Sequence, residues 1–437
     1  MMAVLDTSMM AKKKSEAQET VLESKDPVQP ELNIGLVGHV DHGKTTLTEQ
    51  LTGKWTDTHS QEIKRGITIR LGYADSVFRK CTKCEGSEAF MTKPECPTHK
   101  IPTEFLRKVS FVDAPGHESL MATMLSGATI MDGAMLLVAA NETCPQPQTR
   151  EHLMALEICG IKNIVIVQNK IDLVASERAL RNYQQIKEFL KGSAYENAPI
   201  IPVSAQHSVN IGALIQAIEE FIPTPKRNDK EAPLMFLARS FDVNKPGMAP
   251  RDMKGGVLGG ALVKGKLKVG DKIEIRPGHV VEEQNRKVSK PLFATILSIM
   301  TGSAAVEEAK PGGSIGVMTT LDPSIVMSDS LVGNVVGLPG KLPTVLYELE
   351  LETSLLERVV GSEEELKVDP IKMNEPFMLN VNAAATVGFV TDISKNKFKC
   401  KLKLPICADP GARVTISRRV GTRFRLIGYG IILDSKK

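Results

Sequence analysis

A glycine-rich loop near the start of the chain has the residue types and spacing that bind phosphate. Gly38, Gly43, Lys44 and Thr45 fit the pattern G-x-x-x-x-G-K-[ST], between an apolar run and an amphipathic stretch, and a chance glycine turn would not need that context. The glycines let backbone N–H groups turn toward phosphate oxygens, the lysine reaches the β- and γ-phosphates, and the threonine hydroxyl ligates Mg²⁺. The predicted phosphate-binding residues are Asp41, His42, Gly43, Lys44, Thr45 and Thr46.

Two further segments have residues that can distinguish guanine from other bases. In NKID at 169–172, the aspartate can accept hydrogen bonds from guanine N1–H and the exocyclic amine, a pair that adenine does not offer. The asparagine would bond to the acceptor edge of the ring, and the lysine would lie along the base. SAQ at 204–206 would bring a backbone N–H to guanine O6. NKID alone is also a common surface turn, but both segments end apolar runs, where ligands bind in parallel sheets. The predicted base-binding residues are Asn169, Lys170, Asp172, Ser204, Ala205 and Gln206.

A third group of residues could hold Mg²⁺ and sense the γ-phosphate. Asp113 ends an apolar run, and Gly116 follows in DAPG. The aspartate would hold Mg²⁺ through water, and the glycine N–H would bond to the γ-phosphate, so loss of that phosphate would release the segment. Thr68, in RGIT, could complete the Mg²⁺ shell from a mobile loop, and His117 could orient the attacking water. Taken alone, Thr68 is typical of a plain strand and His117 of a helix start.

Three cysteines and a histidine between these motifs have the spacing of a metal site. Cys81 and Cys84 form one pair, and Cys96 and His99 form another, each with a two-residue spacer. Two such pairs can enclose a tetrahedral zinc ion, and the segment is too polar to bury much core without one. Four protein ligands leave no position for water, so the zinc would be structural. Free thiols in a loop are the alternative, and a redox pair is disfavoured because no strand–helix junction follows.

The elements that position these residues alternate between buried strands and amphipathic helices. Apolar runs typical of strands occupy 32–38, 109–115, 134–140, 163–169 and 200–205. Stretches with apolar residues at spacings of three and four occupy 118–131, 148–159, 179–191 and 211–221. This order predicts an α/β domain with a parallel sheet that is covered on both faces.

The rest of the chain has short runs that are broken by glycine and proline, which is typical of antiparallel barrels. A second proline-flanked joint lies at 338–343. A length of 437 residues agrees with about three domains of roughly 150 residues each. The predicted fold is an α/β P-loop GTPase domain followed by two all-β barrel domains. The predicted segments are a disordered leader at 1–31, the GTPase domain at 32–228 with a zinc-knuckle insertion at 81–99, and barrels at 232–341 and 342–437.

The composition excludes several other classes of protein. Apolar residues make up 42% and charged residues 24%, which is ordinary for a globular protein and unlike a collagen or a disulfide-rich miniprotein. Aromatic residues are only 4%, which argues against base-stacking platforms. No apolar run reaches the ~18–20 residues of a membrane span, and the leader has no secretory core. The seven cysteines therefore indicate a reducing, cytoplasmic location. Four of them are expected to be small buried hydrophobes: Cys144, Cys159, Cys400 and Cys407.

The net charge of +4 conceals a basic end, because residues 395–437 carry +10 and the preceding 394 residues sum to −6. Lysines recur at every second position from 395 to 403, so they share one face of a predicted strand. The opposite face, toward a core, would hold Phe398, Cys400, Leu402 and Leu404. Two interpretations are open: an edge strand whose lysines resist aggregation, and a surface for the RNA backbone.

Taken together, the motifs resemble a known family. GHVDHGKTT, RGITI, DAPGH, NKID and SAQ resemble the GTPase domain of translation factors. From about Leu32 to the C-terminus the chain resembles the gamma subunits of archaeal and eukaryotic translation initiation factor 2, as in LGYAD, MATMLSGATIMDGAMLLVAANE, CPQPQTREH, RSFDVNKPG, KGGVLGG, LLERVVG and LKVDPI.

The resemblance implies a GTPase that binds GTP or GDP with Mg²⁺ and delivers initiator methionyl-tRNA to the small ribosomal subunit and its mRNA. GTP hydrolysis would release the tRNA after start-codon recognition, and the partners would be alpha and beta subunits in a heterotrimer. Members often have four cysteines in the metal segment, and His99 in the fourth place departs from that pattern.

Two other classes of function remain open on the sequence. An elongation-type factor would keep the GTPase and deliver another aminoacyl-tRNA. An enzyme that transfers phosphoryl or nucleotidyl groups is the second alternative, although no acid–base pair outside the nucleotide site supports it. A pure binding module is disfavoured, because nucleotide contacts, Mg²⁺ ligands and a candidate water-orienting histidine occur together.

Overall fold

The computed structural model describes residues 27–56, 62, 68–245, 247–283, 286–356, 367–421 and 423–434. The predicted leader up to residue 26, positions 65–67 of the RGIT motif and positions 357–361 of LLERVVG lie outside the described residues. The described chain forms one α/β unit followed by two antiparallel β-barrels. The predicted fold class is therefore confirmed.

A single seven-stranded sheet forms the α/β unit. Its strands are β1 (Leu32–Gly38), β2 (Gly72–Lys80), β3 (Phe90–Met91), β4 (Glu104–Asp113), β5 (Gly133–Ala139), β6 (Ile164–Asn169) and β7 (Ile200–Pro202). They lie in the order β3-β2-β4-β1-β5-β6-β7. The five strands from β4 to β7 in that order are parallel, whereas β2 and β3 form an antiparallel edge. The carboxyl ends of the parallel strands therefore share one edge, where ligands bind in such sheets.

Helices cover both faces of this sheet. They are α1 (Lys44–Thr52), α2 (Met121–Ala128), α3 (Pro147–Cys159), α4 (Ser176–Leu190) and α5 (Ile211–Phe221), with 3₁₀ turns at Gly86–Ala89, Glu118–Leu120 and Ile171–Leu173. Leu47 of α1 and Leu214 of α5 belong to the apolar core on one face. Met124 of α2, Leu156 of α3 and Ile186 of α4 belong to the core on the other. None of the helices in the described part of the chain is both long and apolar enough to cross a membrane.

The first barrel follows the α/β unit. The strands of this segment are β8 (Leu234–Phe241), β9 (Val257–Lys264), β10 (Leu267–Lys268), β11 (Lys272–Glu283), β12 (Arg286–Thr301), β13 (Ala304–Val306), β14 (Glu308–Ala309), β15 (Ile315–Thr319) and β16 (Val335–Gly337). Of these, β10 and β14 form a separate two-stranded sheet. The segment also contains the short helix α6 (Pro323–Val326) and 3₁₀ turns at Pro250–Asp252 and Met327–Asp329. The order β11-β16-β8-β9-β15-β12 closes through the pairing of β11 with β12, and β13 extends β12.

The second barrel is closed in the order β17-β20-β19-β18-β21-β22. Its strands are β17 (Val345–Leu355), β18 (Pro376–Val381), β19 (Ala384–Ser394), β20 (Lys397–Cys407), β21 (Arg413–Val420) and β22 (Arg423–Ile432). This barrel packs on α2 and α3. Arg425 forms an ion pair with the buried Glu151 of α3, and Arg413 donates to the carbonyl oxygen of Ile158 at 2.6 Å. Part of the basic end is therefore used to join the second barrel to the α/β unit.

The lysine-rich strand β20 differs from the prediction in two ways. It lies between β17 and β19 in a closed barrel, so the edge-strand interpretation is wrong. Leu404 is 43% exposed, because the alternation of buried and exposed side chains ends at Leu402.

Three lysines of the row face glutamates of β17 in the pairs Lys397–Glu352, Lys399–Glu350 and Lys401–Glu348. Opposite charges directly across two strands contribute about 0.2–1 kcal/mol a pair, so the row is partly neutralised, and its role toward RNA stays a prediction.

The four cysteines outside the metal segment are free thiols, of which Cys400 and Cys407 are buried as predicted. Cys144 and Cys159 are only half-buried. Burial raises the pKa of all four thiols to about 12. They are therefore protonated at neutral pH, which is consistent with a packing role.

Candidate functional site

The phosphate loop joins β1 to α1 at the carboxyl edge of the sheet. Gly43, the residue before α1, has φ of 87°, a left-handed conformation that glycine adopts without strain. A Cβ at this position would also lie 2.4 Å from Nδ2 of Asn169. The second motif glycine is therefore required both by its backbone conformation and by the neighbouring base-binding segment.

A cavity of about 470 Å³ lies over this loop. The residues that line it are Val40, Asp41, Gly43, Lys44, Thr45, Thr46, Trp55, Thr68, Gly116, His117 and Lys170. The fold thus brings residues from four separate sequence motifs to one space. A Cβ at Gly116 would lie 2.5 Å from Nζ of Lys44 and 2.9 Å from the carbonyl oxygen of Gly38, so this glycine allows its segment to approach the loop closely.

Lys44 is held in the centre of the loop by the loop itself. Its ammonium group donates to the carbonyl oxygens of Gly38 at 3.0 Å and His39 at 2.7 Å. The side chain is buried, and a buried ammonium group needs anionic or carbonyl oxygen partners. Phosphate oxygens are partners of the same kind, so the position suits the predicted role of Lys44.

Two histidines support the loop from inside the protein. The imidazole of His42 is fully buried and contacts the carbonyl oxygen of Leu137 at 2.9 Å and Glu142 at 3.3 Å. Any contact of His42 with a nucleotide would therefore use its backbone N–H. His152 of α3 accepts a hydrogen bond from the backbone N–H of Gly38 at 2.8 Å. Burial, with the positive charge of Lys44 nearby, lowers the pKa of His152 to about 3, so it stays a neutral acceptor. No local sequence pattern indicates this contact.

The three predicted Mg²⁺ ligands lie together. Thr45 Oγ1 donates to Asp113 Oδ2 at 2.8 Å and lies 3.2 Å from Thr68 Oγ1. Two hydroxyls and a carboxylate form a set of hard oxygen donors, which is what Mg²⁺ prefers. The donor set therefore fits the Mg²⁺ that is expected for a GTPase domain. Thr56, which lies in none of the predicted motifs, also donates to Asp113 Oδ2, at 2.7 Å.

The predicted base-binding residues meet at the ends of β6 and β7. Asn169 Nδ2 donates to the carbonyl oxygen of His42 at 2.9 Å, and Asn169 Oδ1 accepts from the N–H of Ala205 at 3.0 Å. Asn169 thus ties the phosphate loop to the SAQ segment, a role that was not predicted. The Ala205 N–H points at Asn169 and would have to change partner to reach guanine O6.

Lys170 and Asp172 lie at the turn after β6. Lys170 has φ of 63° and lines the cavity. Asp172 Oδ2 lies 3.7 Å from Nε2 of the exposed His207, while Ser204 is buried and Gln206 is exposed. Contact of these residues with the base stays a prediction.

His117 lies exposed at the cavity, one residue beyond the DAPG segment. Its Nδ1 lies 2.8 Å from Ser119 Oγ and accepts from the Ser119 N–H at 3.2 Å. Because both contacts involve Nδ1, Nε2 is the nitrogen that can serve a water molecule in the cavity. The position agrees with the predicted water-orienting role, which stays a prediction.

The cysteine–histidine cluster is the candidate metal centre. One ligand atom from each of Cys81, Cys84, Cys96 and His99 lies within 4.8 Å of all the others. Cys84 Sγ lies 3.6 Å from Cys96 Sγ and 3.3 Å from His99 Nδ1. A tetrahedral zinc ion with Zn–S bonds near 2.3 Å spaces its ligand atoms about 3.3–3.8 Å apart, so the residues present fit zinc. The N–H of His99 donates to Cys96 Sγ at 3.5 Å, a contact that favours the thiolate, the form that zinc binds.

The knuckle around this cluster packs on α5. A Cβ at Gly212 would lie 2.3 Å from the carbonyl oxygen of Ser87 and 3.0 Å from that of Phe90. A folded knuckle is therefore supported by a close backbone contact with the α/β unit, and a bound zinc ion would be structural.

Replacing Cys84 by serine is expected to reduce bound zinc from about one ion per chain to nearly none, because a zinc site of this type needs all four ligands. Metal analysis of the purified protein measures this, and faster hydrogen exchange in 81–103 should accompany it. Cys144→Ser, at a half-buried thiol outside the cluster, is the matched control. An unchanged zinc content in Cys84→Ser would show that the cluster is a group of free thiols.

Comparisons with known proteins agree with this geometry. Residues 29–224 match the family model described as Elongation factor Tu GTP binding domain. Residues 347–432 match the one described as Initiation factor eIF2 gamma, C terminal. The bacterial selenocysteine-specific elongation factor EF-Sec is 24% identical with a TM-score of 0.69, over 92% of this chain and 58% of its own. Elongation factor SelB from Methanococcus maripaludis, in complex with the GTP analogue GppNHp, is 23% identical with a TM-score of 0.68, over 94% and 80%. At these identities the two structures show the fold alone.

Curated relatives are much closer in sequence. A Pyrococcus furiosus protein named translation initiation factor 2 subunit gamma is 59% identical over 412 residues, which cover 94% of this chain and 100% of the relative. The Archaeoglobus fulgidus protein of the same name is 62% identical over 403 residues, which cover 92% and 94%. With this identity over nearly the whole chain and a matching GTPase domain, the protein is a translation GTPase that belongs to the family of translation initiation factor 2 gamma subunits.

Proposed function

We propose that this protein delivers initiator methionyl-tRNA to the small ribosomal subunit and its mRNA in a GTP-dependent manner. The tRNA is released when GTP is hydrolysed after start-codon recognition. The proposed partners are the alpha and beta subunits of the factor, and the proposed location is the cytoplasm. The observation that carries this proposal is a direct connection between the Mg²⁺ site and the first barrel.

The connection begins at Thr68, which lies beside Thr45 in the Mg²⁺ site. Two residues later, Arg70 pairs with Asp329 of the first barrel at 3.2 Å. Arg239 of β8 contacts the other oxygen of Asp329 at 3.0 Å and donates to the carbonyl oxygen of Leu71 at 3.4 Å. A movement of Thr68 after loss of the γ-phosphate would therefore change the contacts that Arg70 and Leu71 make with the barrel. This supports a carrier whose affinity for tRNA depends on the bound nucleotide.

The residues of the cavity have separate roles in this proposal. Lys44 and the loop N–H groups bind the β- and γ-phosphates, and the N–H of Gly116 bonds to the γ-phosphate. Thr45, Thr68 and Asp113 hold Mg²⁺, which when bound neutralises charge on the phosphates. His117 orients the attacking water. The zinc knuckle has a structural role.

Binding of labelled methionyl-tRNA tests the proposal. With GTP, initiator methionyl-tRNA is expected to bind on the order of 10-fold more tightly than with GDP, a ratio within the usual range of allosteric coupling. Filter binding with and without the alpha and beta subunits measures this, and elongator methionyl-tRNA is the control. Equal affinities for the two tRNAs would favour an elongation-type factor. The absence of any tRNA effect would favour an enzyme that transfers phosphoryl or nucleotidyl groups.

A further inference from the structure

We propose that Thr56 is a positioning residue for the carboxylate of Asp113 and thereby sets the affinity of the GTPase site for Mg²⁺. The inference concerns the GTPase site and does not depend on the proposed role in tRNA delivery. It rests on a buried hydrogen bond between two residues that are distant in sequence. Thr56 Oγ1 donates to Asp113 Oδ2 at 2.7 Å. Thr56 is 8% exposed and Asp113 is 0% exposed.

The bond is specified by the packing around it. Gly72, the first residue of β2, lies directly across from Asp113 of β4 in the sheet register. A Cβ at Gly72 would lie 2.7 Å from Cβ of Thr56. The missing side chain at 72 therefore leaves the space that Thr56 occupies beside the carboxylate.

The chain before Thr56 is also fixed. Helix α1 is followed by Gly53, whose φ of 72° and N–H bond to the carbonyl oxygen of Glu49 at 2.7 Å turn the chain back. Lys54 then donates to the carbonyl oxygen of Tyr73 at 3.2 Å. The segment that follows α1 is thus held against β2, next to Asp113.

The same carboxylate oxygen accepts from two hydroxyls with different roles. Thr45 is a predicted Mg²⁺ ligand and lines the cavity. Thr56 is not a predicted Mg²⁺ ligand and does not line the cavity. Its hydroxyl would therefore act on the ion through Asp113. A residue that orients a ligand in this way typically changes metal affinity by about 10- to 100-fold when it is lost.

The neighbouring residue provides a direct readout. Trp55 is the only tryptophan in the chain, and it is half-exposed and lines the nucleotide cavity. Since it is bonded to Thr56, its fluorescence should report the state of the same segment. The readout is independent of GTP hydrolysis.

The test compares Thr56→Val, which removes the hydroxyl at nearly constant volume, with Thr56→Ser, which keeps it. Mg²⁺ is titrated while Trp55 fluorescence and the dissociation rate of fluorescent GDP are measured. Thr56→Val is expected to need about 10- to 100-fold more Mg²⁺ for half-saturation, whereas Thr56→Ser should titrate near the wild-type concentration. Thr129→Val is the matched control, because its hydroxyl bonds to the carbonyl oxygen of Ser126 at the end of α2 at 2.8 Å, away from the nucleotide cavity.

A second variant covers the case in which Thr56→Val does not fold. Gly72→Ala would push Thr56 away from Asp113 and is expected to shift the Mg²⁺ titration in the same direction. A wild-type titration in Thr56→Val or in Gly72→Ala would overturn the proposal. A Thr56→Ser variant as defective as Thr56→Val would also overturn it, because the methyl group and not the hydroxyl would then matter.

Discussion

Replacing Asp172 by asparagine is expected to weaken GTP binding by roughly 10²- to 10⁴-fold and to improve the binding of xanthosine triphosphate. The carboxylate would accept two hydrogen bonds from guanine, each worth about 1.5–3 kcal/mol because one partner is charged. The amide group of asparagine donates a hydrogen bond where a carboxylate oxygen accepts one. It therefore cannot pair with the exocyclic amine of guanine, which is also a donor, but it can donate to the C2 carbonyl oxygen of xanthine. Asp172 lies in the 3₁₀ turn Ile171–Leu173, directly after the cavity-lining Lys170. Competition against a fluorescent guanine nucleotide measures both affinities.

The matched control for this change is Glu177→Gln in the first turn of α4. Glu177 is an exposed acid a few residues away, so the variant makes the same change of charge without reaching the base. His207→Ala removes the contact at 3.7 Å and should leave the preference for guanine intact. Unchanged GTP affinity in Asp172→Asn would mean that Asp172 does not contact the base.

Strong periodicity made most of the α/β unit predictable. The stretches 148–159 and 211–221 agree with α3 and α5 within one residue, because their apolar residues recur at helical spacing and pack on the sheet. The stretch 118–131 was predicted too long, since α2 spans only Met121–Ala128 after a 3₁₀ turn. Strand β2 was missed. Only alternate residues along part of it are buried, so it has no continuous apolar run, which is what an antiparallel edge strand of such a sheet allows.

The candidate site was predictable where chemistry follows a local motif. Thr45 lies in the first turn of α1 and Asp113 ends β4, so their motifs place them at the same edge of the sheet, and Thr68 reaches them from the irregular segment before β2. The contacts of His152 with Gly38 and of Thr56 with Asp113 span 114 and 57 positions. Neither has a local pattern, because both depend on how distant elements pack. The same holds for β20, since the glutamates that face its lysines lie on β17, far earlier in the chain.

Replacing His117 by alanine is expected to slow GTP hydrolysis by about 10²-fold or more, the usual contribution of a positioned side chain that handles a proton. The affinity for GTP should persist, because the residues proposed to bind the phosphates are those of the loop and Lys44. Single-turnover hydrolysis measures the rate, and displacement of a fluorescent GTP analogue measures the affinity. Ser119→Ala is expected to have a smaller effect on the rate, since it removes the hydroxyl contact at His117 Nδ1 but keeps the imidazole.

The control for His117→Ala is His207→Ala, which removes another exposed imidazole of the α/β unit, near Asp172 rather than the phosphate loop. That variant should hydrolyse GTP at the wild-type rate. Normal hydrolysis in His117→Ala would remove the histidine from the mechanism. A parallel loss of GTP affinity and rate would instead make His117 a binding residue, because a group that acts only in the transition state changes the rate alone.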